Sequence, residues 1–195
     1  MMTKSILLVG VGGQGTITAS KLLTIGLLES GYDVKMNEIH GMSQRGGAVS
    51  SDVRYSETGK VFSPVIGKGG ADILVSFEEM EALRWADYVK PDGAIVVSTE
   101  RIAGLPVMTG RMDYPEDIMS ELQKVAKTVI AIDGPAEAAK IGNSKVTNVI
   151  LLGVIVKFMK LESIDWQKIV RENVKADFID LNLRALEHGK TLITS

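Results

Sequence analysis

The sequence has no cysteine among its 195 residues. That absence excludes disulfides, thiolate zinc sites, a cysteine nucleophile and any cysteine-ligated iron–sulfur cluster in this chain, and no other metal site is read in it. Charge of one sign is also lacking: 22 basic and 24 acidic residues are spread along the chain and leave a formal net charge of -2. Such a balance gives no electrostatic footprint for nucleic acid or an anionic membrane, so neither partner is expected. Long apolar runs are missing too. The longest, Val149 to Val156, falls far short of the roughly 20 residues that cross a bilayer and is expected to be a buried helix. The opening Met1-Met2-Thr3-Lys4 runs straight into a short apolar strand, without the features of a signal peptide, and a cytoplasmic protein is expected.

What is present suits a globular core: 45% of the residues are hydrophobic and 24% charged. Residues 1–195 are read as one domain. Ser5 to Val9 is a short apolar run, Gly10 to Gly15 is glycine-rich, and Ala19, Leu22, Leu23, Gly26 and Leu27 then recur at helical spacing, giving strand, tight loop and helix. Gly31 is the expected helix C-cap, and Asp33 to Asn37 is expected to return as a second parallel strand. Glu38 to Gly47 has no period and reads as a loop. Ala48 to Tyr55 and Lys60 to Ile66 look like paired extended segments around Glu57-Thr58-Gly59. Ala71 to Phe77 is a buried strand, Glu78 to Val89 a helix, Pro91-Asp92-Gly93 a turn and Ala94 to Ser98 a strand. Helices are then expected at Met119 to Val125 and Pro135 to Ile141, with a strand at Val129 to Ile132 between them. The last third reads as helices only, at Val146 to Lys160, Asp165 to Val174 and Phe178 to Glu187. The expected fold is therefore α/β: a Rossmann-like, mostly parallel sheet with helices on both faces and a helical C-terminal segment, its ligands beyond the carboxyl ends of the strands.

Gly10-Val11-Gly12-Gly13-Gln14-Gly15 matches G-x-G-x-x-G in the context that gives the motif meaning, after a strand and opening a helix. Gly10 permits the turn, Gly12 lets a ligand approach the backbone, Gly15 brings helix against strand, and free amides at the helix N-terminus favour an anion. Gly10, Gly12, Gly13, Gln14 and Gly15 are thus the candidate cofactor-binding residues. Glu38 stands where a dinucleotide site keeps its ribose acid, and on this motif alone NAD or FAD would follow. The blander account is that these glycines serve only packing. A second loop, Ile39-His40-Gly41-Met42-Ser43-Gln44-Arg45-Gly46-Gly47, has no equivalent in the ordinary dinucleotide fingerprint.

The two loops together resemble the gamma-type domain of 2-oxoacid:ferredoxin oxidoreductases. The resemblance continues through Ala71 to Glu78, which looks like that family's AD-x-L-x-x-x-E segment, and through Lys145-Val146-Thr147-Asn148. The version Gly-Met-Ser-Gln-Arg-Gly-Gly is most similar to the beta subunit of indolepyruvate oxidoreductase. The resemblance implies an enzyme in which thiamine diphosphate, with magnesium, attacks a 2-oxoacid, carbon dioxide leaves, iron–sulfur clusters pass electrons to ferredoxin, and the acyl group reaches coenzyme A as co-substrate. This chain has neither a recognisable thiamine–magnesium motif nor a cysteine. The resemblance therefore implies a larger thiamine- and iron–sulfur-containing partner subunit, with no cofactor held by this chain alone and no catalytic residue of its own.

Ser43, Gln44, Arg45, Gly46 and Gly47 are the candidate substrate or partner-interface loop. Arg45 between glycines can offer a planar cation to a carboxylate or phosphate; its bland alternative is an internal ion pair. His40 has the pKa range for acid–base work, but no carboxylate partner is evident in sequence, and it reads as a hydrogen-bonded loop residue. Glu78, Glu79 and Glu81 open a helix, where acids favour its positive end. Asn148 reads as tying down a loop, and Trp85 and Trp166 as packing or a subunit contact. Two competing functions remain open at this point: a stand-alone NAD- or FAD-dependent oxidoreductase, and a nucleotide-sensing assembly module.

Overall fold

The structure is a computed structural model, and it describes residues 3–41 and 47–193. Six strands form one sheet in the order β2-β3-β1-β4-β5-β6. They are β1 (Lys4–Val11), β2 (Asp33–His40), β3 (Ala48–Ser56), β4 (Ala71–Ser76), β5 (Val89–Ser98) and β6 (Thr128–Ile132). β1, β4, β5 and β6 are mutually parallel. β3 runs against both of its neighbours, so β2 points the same way as β1. The helices are α1 (Thr16–Glu29), α2 (Glu79–Trp85), α3 (Leu105–Met108), α4 (Ile118–Val125), α5 (Gly134–Ile141), α6 (Thr147–Phe158), α7 (Trp166–Asn173) and α8 (Ile179–Thr191).

Alternation along the strands divides the core into two layers. Ile6, Leu8, Ile73, Val75, Ala94 and Val96 face α1, α5, α6, α7 and α8. Leu7, Val9, Leu74, Ile95 and Val97 face α2 and α4. Strands buried on both faces must be apolar throughout, and β1 and β4 read that way. α6 is the buried helix expected of the longest apolar run: every residue from Thr147 to Val156 is buried. No single helix among the described residues is long and apolar enough to cross a membrane.

Local chemistry sets the helix ends. Asp133 accepts a hydrogen bond from the Ala136 amide and Pro135 sits in the first turn of α5, which Gly142 ends at φ 97°. Asp165 caps α7 through the Lys168 amide, and Gly31, at φ 85°, follows α1 as expected.

Four expectations change, the first being that Glu38 to His40, read as the start of a loop, continues β2. Asp33 to Asn37 is a strand, but β2 is the sheet edge and does not pair with β1; β3 lies between them, hydrogen-bonded to both along eight-residue registers. The physical reason is that a short loop can return the chain only antiparallel, and the strand it returns, β3, is mostly buried whereas β2 is largely half-exposed, as befits an edge. Lys60 to Ile66 forms no ladder. Side chains hold it instead: Arg54 donates to the Ser63 and Val65 carbonyls, while Asp33 and Asp52 accept from the Val61 and Ile66 amides. Pro91-Asp92-Gly93 lies within β5, where the register to β4 shifts between Ala71 and Ile73.

Candidate functional site

The carboxyl ends of β1, β4 and β5 meet at the point where the chain runs to one side of β1 through α1 and to the other through β4, the place where open α/β sheets hold ligands. The glycine loop lies there between two clefts. One, of about 490 Å³, is lined by Val11, Gly12, Thr16, Thr18, His40 and Val49 among others. The second, of about 580 Å³, is bounded by the loop, Phe77, Glu100, Ile102 and Lys145.

Each candidate residue of the loop has a distinct place. A Cβ on Gly10 would stand 2.9 Å from Gln14 Oε1, Phe77 Cβ and Thr16 Oγ1, so close packing requires glycine. Gly13 and Gly15 have φ of 103° and 82°, in the left-handed region that favours glycine. Gly15 backs onto α6 rather than a strand: its Cβ would lie 2.6 Å from Asn148 Nδ2. Asn148 Nδ2 also donates to the Gly15 carbonyl at 3.5 Å, the tying contact expected of it. Gly15 is the N-cap of α1, which has no side-chain cap and no acid in its first turn. An anion is therefore the electrostatically favoured neighbour of that helix end.

Gly12 is where the structure departs most from a dinucleotide cradle. Its amide donates to the Gly47 carbonyl at 2.9 Å, so the two loops singled out in the sequence are joined by a main-chain bond. Gln14 lines the second cleft, but its side-chain amide is engaged within the chain. Its Oε1 accepts from the Val11 amide at 2.8 Å, and its Nε2 donates to the Phe77 carbonyl at 2.7 Å and to Glu100 Oε2 at 2.9 Å. Of the second loop, Ile39 and His40, which end β2, and Gly41 and Gly47 are described, and Gly41 donates to the Ala48 carbonyl. Ser43, Gln44, Arg45 and Gly46 lie outside the described residues.

Glu38 faces Ser51 on β3 and is thus one strand spacing, about 4.8 Å, further from β1 than a ribose acid would be. It accepts from Ser20 Oγ at 3.2 Å. His40 has the carboxylate partner that the sequence did not reveal: its Nε2 lies 3.8 Å from Glu38 Oε2, two residues away on the same strand face.

The acids after β4 are structural clamps. Glu78 is completely buried. Its carboxylate caps α2 through the Glu81 amide and accepts from the Ile102 amide and the Tyr114 hydroxyl. Burial, and then that bond to Glu78, hold the Tyr114 phenol above its ordinary range. Glu79 receives Arg101 Nε at 2.6 Å, and burial raises Glu81. Trp166 is core, with its Nε1 donating to the Leu161 carbonyl, and Trp85 packs against Tyr88.

Sequence reasoning passed over Glu100 and Tyr114. Glu100 had a signal: a polar residue two positions beyond the apolar run Ala94 to Ser98 falls at the carboxyl end of a strand, where site residues gather. Tyr114 had none, because its partner is 36 residues away.

Residues 5–192 match the family model described as pyruvate ferredoxin/flavodoxin oxidoreductase. The chain is 36% identical over 194 residues to indolepyruvate oxidoreductase subunit IorB of Archaeoglobus fulgidus, an overlap of 96% of this chain and 94% of that protein. Among solved structures it resembles the gamma subunit of a keto/oxoacid ferredoxin oxidoreductase from Geobacter sulfurreducens, with a TM-score of 0.70, 21% identity and 97% of each chain covered. It also superposes with a TM-score of 0.77 and 19% identity on 2-oxoglutarate:ferredoxin oxidoreductase from Magnetococcus marinus, where 98% of this chain matches 31% of a longer one. The chain belongs to the pyruvate ferredoxin/flavodoxin oxidoreductase family, as a small gamma-type oxidoreductase subunit.

Proposed function

We propose that residues 1–195 act as one gamma-type domain, the small subunit of an indolepyruvate-type 2-oxoacid:ferredoxin oxidoreductase in the cytoplasm. In this reading a larger subunit brings thiamine diphosphate, magnesium and the iron–sulfur clusters, ferredoxin takes the electrons from the complex, and coenzyme A takes the acyl group. Neither nucleic acid nor a membrane is a partner. Iron–sulfur clusters do not fit the residues present, since the chain has no cysteine to ligate them. The Magnetococcus marinus structure carries 2-oxoglutarate, coenzyme A and succinyl-CoA, which supports an acyl-CoA product.

One observation carries the reading beyond family membership. The Gly12 amide, which a dinucleotide fold offers to a diphosphate, is bonded to Gly47 of the second loop. The motif then serves as a platform for Gly47, and Ser43, Gln44, Arg45, Gly46 and Gly47 are the residues proposed for the surface that meets substrate or partner. Gly10, Gly12, Gly13, Gln14 and Gly15 shape that surface beside the uncapped end of α1, where an anionic co-substrate is favoured.

The test is reconstitution. The chain alone is expected to be colourless and inactive, and the complex with its larger subunit to reduce a dye in the presence of an arylpyruvate. Turnover by the isolated chain overturns the subunit reading. Within the complex, Arg45→Ala is expected to assemble normally and lower the rate about ten- to a hundred-fold, the cost of a charge-assisted contact, with lysine rescuing only in part.

A further inference from the structure

The polar groups at the carboxyl end of the sheet are linked into one chain, and a single side chain stands at its centre. Gln14 takes hold of three strand ends at once: Val11 of β1, Phe77 after β4 and Glu100 after β5. An amide can sit there in two orientations related by a flip, and the neighbours choose between them. With Nε2 toward Phe77 and Glu100, both of its hydrogens meet acceptors and Oε1 meets the Val11 amide. The flipped form would set Oε1 against a carbonyl and a carboxylate and Nε2 against an amide donor. Phe77 contributes main chain that β4 fixes in place. Glu100 contributes the one charged acceptor of the pair, and charge-assisted bonds are about twice as strong as neutral ones.

The consequence reaches the second loop through few steps. Val11 is the last residue of β1 and faces Ala48 on β3, and its neighbour Gly12 donates to the Gly47 carbonyl. Holding the Val11 amide therefore holds the bond by which the glycine loop carries Gly47. Glu100 is itself located from the other side. Its carbonyl accepts from the Glu79 amide, and two residues on, the Ile102 amide donates to the buried Glu78 carboxylate that Tyr114 also reaches.

We infer that Glu100 is a positioning residue: it orients the Gln14 amide and, through it, sets the glycine loop and the Gly47 end of the second loop. The inference rests on the reading of those loops as the working surface, but its first test needs no partner. Amide hydrogen exchange is measured on the free chain. Glu100→Ala is expected to speed exchange of the Val11 and Gly12 amides about ten-fold, the factor for losing roughly 1.4 kcal/mol, near the lower end for a bond to a charged group. Core amides such as Leu7 and Leu74 are expected to be unchanged. Glu100→Gln keeps an acceptor oxygen but not its charge, and is expected to speed exchange of the two amides only about three-fold.

Unchanged exchange at Val11 and Gly12, equal acceleration throughout the sheet, or the same effect from both substitutions overturns the inference. In the reconstituted enzyme Glu100→Ala is expected to lower kcat/KM about ten-fold, and Glu100→Gln about three-fold. If the two amides loosen and turnover does not change, Glu100 still positions the loops, and what fails is the assignment of those loops as the working surface.

Discussion

Where α6 crosses α8 the contact is made by backbone, because Gly153 and Gly189 leave nothing else there. A Cβ on Gly189 would lie 2.0 Å from the Ile150 carbonyl oxygen, and one on Gly153 2.3 Å from that of Leu186. At the carboxyl end of the sheet the opposite holds: side chains far apart in sequence reach in and are joined by hydrogen bonds to one another and to main chain. The first region is dry and specified by shape. The second is polar and specified by donor and acceptor identity. Overlap with backbone admits no adjustment, whereas a hydrogen-bonded cluster loses its contacts singly, so the crossing governs whether the chain folds and the cluster governs how two loops are held.

The comparison breaks most sharply at Gly189. Alanine ordinarily favours a helix over glycine by about 1 kcal/mol. Gly189→Ala is nevertheless expected to destabilise by about 3 kcal/mol, because α8 must move off Ile150, and to lower Tm by roughly 6 to 12 °C in thermal unfolding. A gain in Tm would show that the crossing adjusts freely and that the contrast is false.

Tyr114→Phe tests the polar side at intermediate size. Glu78 keeps its two amide donors and loses the hydroxyl, which is expected to cost about 2 kcal/mol and lower Tm by roughly 4 to 8 °C. The Ile102 amide should exchange faster as well. An unaltered Tm would mean that the hydroxyl adds nothing to a carboxylate already satisfied.

The smallest effect is a pH dependence on the helical side, where Glu137 of α5 meets His188 of α8 at 2.6 Å and receives Lys140 Nζ at 2.7 Å. Lys140 first, and then His188, hold the Glu137 carboxyl below its ordinary range. A carboxyl lowered in the folded state contributes stability above its unfolded value and loses it as the pH falls through the folded one. Glu137→Gln is therefore expected to flatten the fall of Tm with acidification below about pH 4.5. An unchanged acid limb would assign that loss to other carboxyls.

Much of this was legible in advance because its causes are local. Apolar runs such as Ala71 to Ser76 and Ala94 to Ser98 state that they are buried strands, Pro135 and Gly142 bracket α5, and the two loops are contiguous strings whose chemistry is readable without coordinates. Strand order is not local. Asp33 to Asn37 reads equally well beside β1 or one strand away, since its own residues do not reveal that Ala48 to Ser56 will come between. Glu38 looked like a ribose acid for the same reason, and His40 looked unpaired because strand alternation, not adjacency in the chain, brings it to Glu38.

The sequence alone determined the class of fold, the lack of any cysteine with which to ligate a cluster, and the pair of loops that marks the family, because composition, periodicity and contiguous motifs are properties of the chain itself. Only the tertiary structure decided that Gly12 is bonded to Gly47, that one glutamine grips three strand ends, and that Glu100 stands behind it. Those contacts join residues up to 86 positions apart. Hydrogen bonds act over about 3 Å, so they exist only once the sheet has set its strand ends side by side.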